Sequence, residues 1–368
     1  MRSQLFKYFT LLFIAFIFVN WGSRGHSKIS TESSLSYNNE MVPFLSWVSY
    51  LADHASDADY RKSDDPDEAV RHYIDIDFYP EFRANGRIAQ AWDSIVTQHG
   101  IWIVTNTGIL PWATISTYNS LKIAMMEQDW NQAMLLAADL GHYVADGFMP
   151  LHLTENYNGQ MTGNSGIHSR FESTMINANI NEIIYEGDSI EATSDVSGYI
   201  FNYIYANYPY MDSILAADNY AKTINSSTSS QEYRQALWMK SKNFTIKLFV
   251  NASHALAELI YSAWVEAGKP IMSIGIEPVS SKKLFTITTR PNPFTEKLEI
   301  SYQINKPAQV SATLSDLSGR QVWKSGAMSM TGGDHQMTLS TEMIPTGIYI
   351  FRIESGEMSS VRKVLKVN

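Results

Sequence analysis

The sequence predicts an all-α domain followed by a small all-β sandwich, and three observations carry that prediction. From Trp21 to about Gly268, Ala, Leu, Ile, Met, Trp and Tyr recur at spacings of three and four, as on the buried face of helices. From Leu284 onward the pattern becomes short alternating runs separated by Gly and Asp turns. The charge balance changes at the same place: residues 21–283 hold 17 Lys+Arg against 30 Asp+Glu, whereas residues 284–368 hold 9 against 7. A length of 368 residues accommodates two to three domains.

Residues 1–20 read as a secretory signal peptide. Arg2 and Lys7 precede an apolar run, Leu11 to Val19, that is short of the ~20 residues a bilayer span needs. Residues 21–269 form the helical domain, with the clearest helical periodicity over Ala113–Glu127, Asn131–Val144 and Gln231–Ala267. Pro270, Pro278 and Ser280–Ser281 mark residues 270–283 as a linker. Residues 284–368 then supply seven short strands: Leu284–Thr289, Lys297–Gln303, Gln309–Ser315, Gln321–Ser325, Gln336–Leu339, Gly347–Glu354 and Ser360–Val367. That number and spacing suits a small Ig-like sandwich.

Composition narrows the chemistry. The chain is 45% apolar and 18% charged, as globular domains are, and a net charge of −9 advertises no affinity for nucleic acid or anionic membrane through a basic field. It has no cysteine, which excludes disulfides, thiol catalysis and Cys-based zinc or iron–sulfur sites. It also lacks the G-x-S-x-G elbow of serine hydrolases. Any metal must be held by His, Asp, Glu or backbone.

The histidines point to such a metal. His142 and Asp146 stand four apart in a helical pattern and therefore emerge on one face; His168 and Glu172 repeat the spacing, and His152 lies between them just past Pro150. One His–acid pair at this spacing is ordinarily a surface ion pair. Three histidines and two acids within 31 residues are better read as nitrogen and oxygen ligands for zinc. His54, His99, His254 and His335 fall outside this pattern and are expected to be structural or surface residues.

Further residues extend the constellation: the run Trp21-Gly-Ser-Arg-Gly-His26, an Asp at position 57 ahead of His72-Tyr73-Ile74-Asp75, Gly141-His142 through Asp146, Pro150-Leu151-His152, and His168-Ser-Arg-Phe-Glu172. In these the chain resembles the trinuclear-zinc phosphodiesterases, the superfamily of bacterial zinc-dependent phospholipases C and single-strand-specific zinc nucleases. The resemblance covers about residues 21–267 and implies a helical catalytic domain with three zinc ions. It implies that Asp57, His72 and His142 bind the first ion, with Asp146 bridging. His152, His168 and Glu172 would bind the second. Trp21, through its amino group and carbonyl, would bind the third with His26, sharing Asp146, which requires signal cleavage between Asn20 and Trp21. Asp59 rivals Asp57; Asp57 is preferred because it stands fifteen residues before His72.

The implied reaction is hydrolysis of a phosphoric ester by a zinc-activated water, with Asp146 and Asp57 in the catalytic machinery and no protein nucleophile. The spacing from His152 to Glu172 looks like the phospholipase C branch. Tyr73 and Asp75 look like the nuclease branch, where an aromatic residue stacks on a base and an acid bonds its edge. Choline-selective phospholipases carry an acid and an aromatic where this chain has Arg24 and Ala69, so Arg24 is a candidate substrate contact of another kind. A phospholipase C-type activity is expected first, and a single-strand endonuclease or 3'-nucleotidase is the alternative. A zinc-scavenging protein would be expected to carry His-rich tracts, which are absent, and an adhesin would not need Trp21 at the cleavage point.

The tail carries a second resemblance. Arg290-Pro-Asn-Pro-Phe294, Leu314 to Arg320, Pro345-Thr-Gly-Ile-Tyr-Ile350 and Lys363 to Val367 look like the C-terminal sorting domain of type IX secretion. This implies the type IX machinery as a partner and a secreted or outer cell-surface protein, expected to be a monomer.

Overall fold

The computed structural model describes residues 23–272 and, after them, 287–292, 294–304, 307–316, 320–341, 344–355 and 358–367. The expected signal segment 1–20, Trp21 and most of the 270–283 linker lie outside the described residues. The chain divides into two compact units between Ile271 and Met272. No described helix is long and apolar enough to cross a membrane.

The first unit is helical. Its longest element, Gln231–Glu266, has 36 residues and so runs about 54 Å. Ser230 caps its start by accepting the Tyr233 backbone N–H at 3.1 Å. One face, including Ala252, Leu256, Leu259, Ile260 and Ala263, is fully buried at the expected helical spacing. It packs against the helices Ser23–Ser33, Leu110–Met126 and Trp130–Gly147. The last two form an antiparallel pair closed by Asp129, whose carboxylate accepts the Gln132 N–H at 3.1 Å. These helices fall where the periodicity places them. Between residues 34 and 106 the chain instead uses short helices and 3₁₀ turns, such as Asn39–Trp47 around Pro43. Such pieces are too short to carry a periodic signature.

Two glycines allow close approaches that the site depends on. At Gly141 a Cβ would sit 3.1 Å from both Ser30 Oγ and Leu256 Cδ2, so its absence lets the Ser23–Ser33 helix lie against the Trp130–Gly147 helix. At Gly108, where φ is +87°, a Cβ would collide with the Tyr73 carbonyl.

The second unit is built of antiparallel sheets. Strands β1 (Ile287–Arg290), β2 (Lys297–Ile304), β3 (Ala308–Asp316), β4 (Gln321–Lys324), β5 (Met328–Met330), β6 (Gly333–Ser340), β7 (Gly347–Ser355) and β8 (Met358–Lys366) follow one another. One sheet has the order β1-β2-β6; the other has β4-β3-β7-β8, with β5 also paired to β3. Along β2, Leu298, Ile300, Tyr302 and Ile304 face inward, alternating with polar neighbours. They share one core with Val310, Ala312, Leu314, Phe351 and Ile353 of the other sheet. The sequence reading lacked β5, a three-residue strand too short to show alternation.

Candidate metal centre

The centre is assembled around the C-terminal end of the Trp130–Gly147 helix. His142 and Asp146 project from one face there, both essentially buried, with His142 Nε2 3.2 Å from Asp146 Oδ2. The helix stops at Gly147, and the 3₁₀ turn Pro150–His152 folds the chain back so that His152 Nδ1 lies 3.1 Å from Asp146 Oδ1. A second 3₁₀ turn, Ala69–His72, is tied to the first by the Ile74 N–H donating to the His152 carbonyl at 2.8 Å. That bond brings His72 Nδ1 to 3.0 Å from Asp146 Oδ2. His26, on the Ser23–Ser33 helix, stacks on His142 with centroids 4.0 Å apart and planes 8° from parallel. Its Nε2 is 3.8 Å from Asp146 Oδ1.

His168 and Glu172 come from the short helix Ile167–Ser169 and the π-helical segment Arg170–Met175 that continues it. Wide turns of this kind recur at functional sites. Here the segment sets Glu172 between two imidazoles: its Oε2 meets His168 Nε2 in a short contact, and its Oε1 is 3.3 Å from His152 Nε2.

Among the described residues three donor groups result, each with ligand atoms within 4.8 Å of one another: His26, His142 and Asp146; Asp59, His72 and His142; and His152, His168 and Glu172. Asp146 is the hub, since one oxygen faces His26 and His152 and the other faces His72 and His142.

Asp57 is not in these groups. Its carboxylate is 40% exposed and bonds His54 Nδ1 at 2.7 Å. Asp59 takes the position expected of Asp57, with Oδ1 3.7 Å from both His72 Nδ1 and His142 Nε2 and 2.6 Å from Lys62 Nζ. Both acids sit in the helix Asp57–Arg61, and two residues along a helix turn a side chain through about 200°. Only one of them can face the cluster. Glu68 is a buried residue that the sequence reading passed over, although Glu68 and His72 repeat the four-residue spacing of the other two pairs. Tyr143, the neighbour of His142, donates its hydroxyl to Glu68.

The hydrogen bonds test whether these residues suit a cation. His142 Nδ1 bonds the Ala55 carbonyl at 2.7 Å, His152 Nδ1 the His72 carbonyl at 2.9 Å and His168 Nδ1 the Tyr157 carbonyl at 3.1 Å. A carbonyl only accepts, so each Nδ1 carries a proton and each Nε2 presents its lone pair to the cluster in the neutral ring. His152 Nε2 and His168 Nε2 then face each other at 3.2 Å, which calls for a cation between them. A proton can fill that role in the ion-free protein. Burial alone would lower the His152 pKa, but Asp146 and Glu172 outweigh it and push it up to about 10. His26, by contrast, is lowered to about 3, first by burial and then by His142. Asp146 is held well below the usual carboxylate range because His142 and His152 outweigh its burial. Imidazole with carboxylate and without thiolate is a donor set for zinc rather than for magnesium or calcium.

The remaining expected contacts are arranged nearby. Tyr73 donates its hydroxyl to the Asn106 carbonyl at 3.2 Å, and the Asp75 backbone N–H bonds the Thr107 carbonyl at 2.7 Å. The Asp75 carboxyl is pushed up to about 7, by burial and then by Asp77 and Glu155. Arg24 is exposed and donates to the Asn177 carbonyl at 3.3 Å. The four other histidines have local partners: His54 with Asp57, His99 with Glu81, His254 with Tyr185 and His335 with the Thr331 carbonyl.

Comparison with known proteins bears mainly on the tail. Among solved structures, the chain is similar to the alpha-toxin of Clostridium perfringens from avian strain SWCP, at 11% identity and a TM-score of 0.45, over 92% of this chain and 97% of that one. It is also similar to the alpha toxin of Clostridium absonum, at 12% identity and a TM-score of 0.42, over 94% of each chain. No curated protein matches the chain. Residues 290–367 match the family model of the secretion system C-terminal sorting domain, which marks the chain as cargo of type IX secretion, bound for release or attachment at the cell surface.

Proposed function

We propose that the helical domain is a zinc-dependent phosphodiester hydrolase with three zinc ions, of the phospholipase C type. The observation that carries this reading is Asp146, a buried carboxylate whose two oxygens face four imidazoles belonging to adjoining donor groups. Adjacent cation sites that share a carboxylate suit a reaction in which charge develops on two oxygens of one phosphoryl group.

Asp59, His72 and His142 would hold one ion and His152, His168 and Glu172 another. His26 and Asp146 would hold the third, with the Trp21 terminal amine as the ligand that the resemblance adds. Zinc supplies Lewis acidity toward a phosphoryl oxygen and lowers the pKa of bound water toward ~7. The chain's own part is to keep the donors in place and charged as the reaction requires. The backbone carbonyls of Ala55, His72 and Tyr157 fix the Nδ1–H form of His142, His152 and His168. Asp59 stays ionised because His142 and Lys62 outweigh its burial, which leaves its carboxylate available as a ligand. Asp59 thus replaces Asp57 in the role that the sequence reading assigned.

A second reading, a single-strand nuclease, is favoured by one observation: Tyr73 and the part-buried Asp75 sit one and three residues beyond His72, an aromatic face with a carboxyl whose pKa is near 7. Hydrolysis of a generic aryl phosphodiester, followed by vesicles of mixed phosphatidylethanolamine, phosphatidylglycerol and phosphatidylcholine and by single-stranded DNA in parallel, tests both. Aryl phosphodiester turnover that chelation abolishes and zinc restores is expected, with phospholipid cleaved faster. Preference for DNA would select the second reading, and inertness toward all three would refute the hydrolase.

A further inference from the structure

Three of the histidines around the cluster offer it the same atom, Nε2, because their Nδ1–H groups are spent on backbone carbonyls. His72 is turned the other way. Its Nδ1 lies 2.9 Å from His142 Nε2, 3.0 Å from Asp146 Oδ2 and 3.7 Å from Asp59 Oδ1. Its Nε2 lies on the far side of the ring, 3.3 Å from Glu68 Oε1, within ion-pair distance but not aligned as a hydrogen bond. An imidazole that gives one nitrogen to a cation carries its proton on the other, and the acceptor of that proton decides which nitrogen is which. No backbone carbonyl plays this part for His72 among the described residues.

We propose that Glu68 is the positioning residue of the first site: its carboxylate holds His72 as the Nε2–H tautomer and thereby makes Nδ1 the ligand atom. The inference rests on the metal-centre reading above but not on any choice of substrate. Glu68 suits the task because it is buried and cannot turn away. Tyr143 donates its hydroxyl to Oε1 in a short hydrogen bond. Arg61 Nε donates to Oε2 at 3.3 Å, and Arg71 stands 3.8 Å from the same oxygen. Arg61 is itself fixed by Asp139 at 2.9 Å and reaches the Tyr143 hydroxyl at 3.5 Å. Among the described residues, the side chains bonded to or ion-paired with this carboxylate are thus donors. An amide in its place would have to aim an NH2 group at Arg61 or at Tyr143 and His72, so even the isosteric Glu68→Gln change breaks the arrangement.

Arg61 adds a second consequence. It ends the short helix that carries Asp59, so one Glu68–Arg61 contact ties together the two segments that bring Asp59 and His72 to the same ion. Outer partners of metal-bound histidine typically contribute about 10–100-fold in metal affinity.

The test uses the full chain labelled with ¹⁵N-histidine, with His72→Asn to assign the His72 signals. In the zinc-bound protein, long-range ¹⁵N–¹H correlations should show His72 protonated on Nε2 and not on Nδ1. Zinc titration against a chelator should then show one site of Glu68→Gln weakened about 10–100-fold, with the His72 tautomer shifted or mixed. A wild-type His72 protonated on Nδ1 would overturn the proposal even if the variant failed to fold. So would a folded Glu68→Gln with unchanged zinc affinity. A wild-type protein that takes up no zinc in the same titration would overturn the metal-centre reading itself, a result seen before any variant is made.

Discussion

Asp57 and Asp59 differ by two positions, and that difference decides which of them faces the histidine cluster. Asp57 bonds His54, whose ring stacks on Tyr50 with centroids 3.9 Å apart, while Asp59 is 11% exposed and faces His72 and His142. Asp59→Asn should therefore cost one zinc ion per chain and about 10²-fold or more in aryl phosphodiester turnover, whereas Asp57→Asn should change either by less than about twofold. Elemental analysis and turnover of the two variants side by side check this; equal losses would show that the outer pair matters as much as the inner. The sequence could not separate the two acids, because both occupy one short helix with no periodic stripe to orient it. Asp75 offers a pH test. Its folded pKa of about 7 stands above the unfolded value near 3.9, so the native state holds this proton more tightly. The carboxyl therefore costs no stability below pH ~4 and its full penalty above pH ~7. Asp75→Asn should stabilise the protein by ~1–2 kcal/mol at pH 8, after allowance for solvent screening of a part-exposed group, and by nothing at pH 4. Denaturant midpoints at the two pH values measure it, and a gain independent of pH would point to packing instead.

The elements differ in how clearly the sequence announces them. His142 and Asp146 lie on an 18-residue helix whose periodicity fixes their common face, so their pairing was legible at once. His168 and Glu172 share the same spacing, but the π-helical segment that carries Glu172 has no sequence signature. Glu68 and His72 bridge the start and end of a 3₁₀ turn, a segment with no amphipathic pattern to draw attention to them. The contact between helices was illegible for another reason: it depends on Gly141 having no side chain, and a glycine in a helix looks like a defect until its neighbours are known. Gly141→Val would thrust a branched side chain between Ser30 and Leu256, with a destabilisation of about 1–3 kcal/mol. It should also draw His26 away from His142 and Asp146, so a folded Gly141→Val protein is expected to hold one zinc ion fewer. Full zinc content in that variant would mean that the Ser23–Ser33 helix is not needed for the third ion.

Across the whole molecule, the proposed chemistry and export fall to different units. The candidate metal centre lies within the helical unit, and the sorting domain within the sheet unit. The change from helices to sheets was legible because periodicity and charge change together near residue 284, and because buried and more exposed residues alternate along β2 and the middle of β3. A chain truncated after Lys283 should retain full turnover on an aryl phosphodiester but fail to reach the cell surface. A well-folded truncated protein that had lost hydrolysis would show that the sheet unit contributes to the site. With no cysteine in the chain, the proposed zinc ions would be its cross-links, and chelation should lower the thermal transition of the helical unit while leaving the sheet unit unchanged. The account stands or falls on the zinc itself. Elemental analysis of the protein recovered from zinc-sufficient growth should find three zinc ions per chain, and a folded protein that contains none and gains none on dialysis against zinc would contradict it.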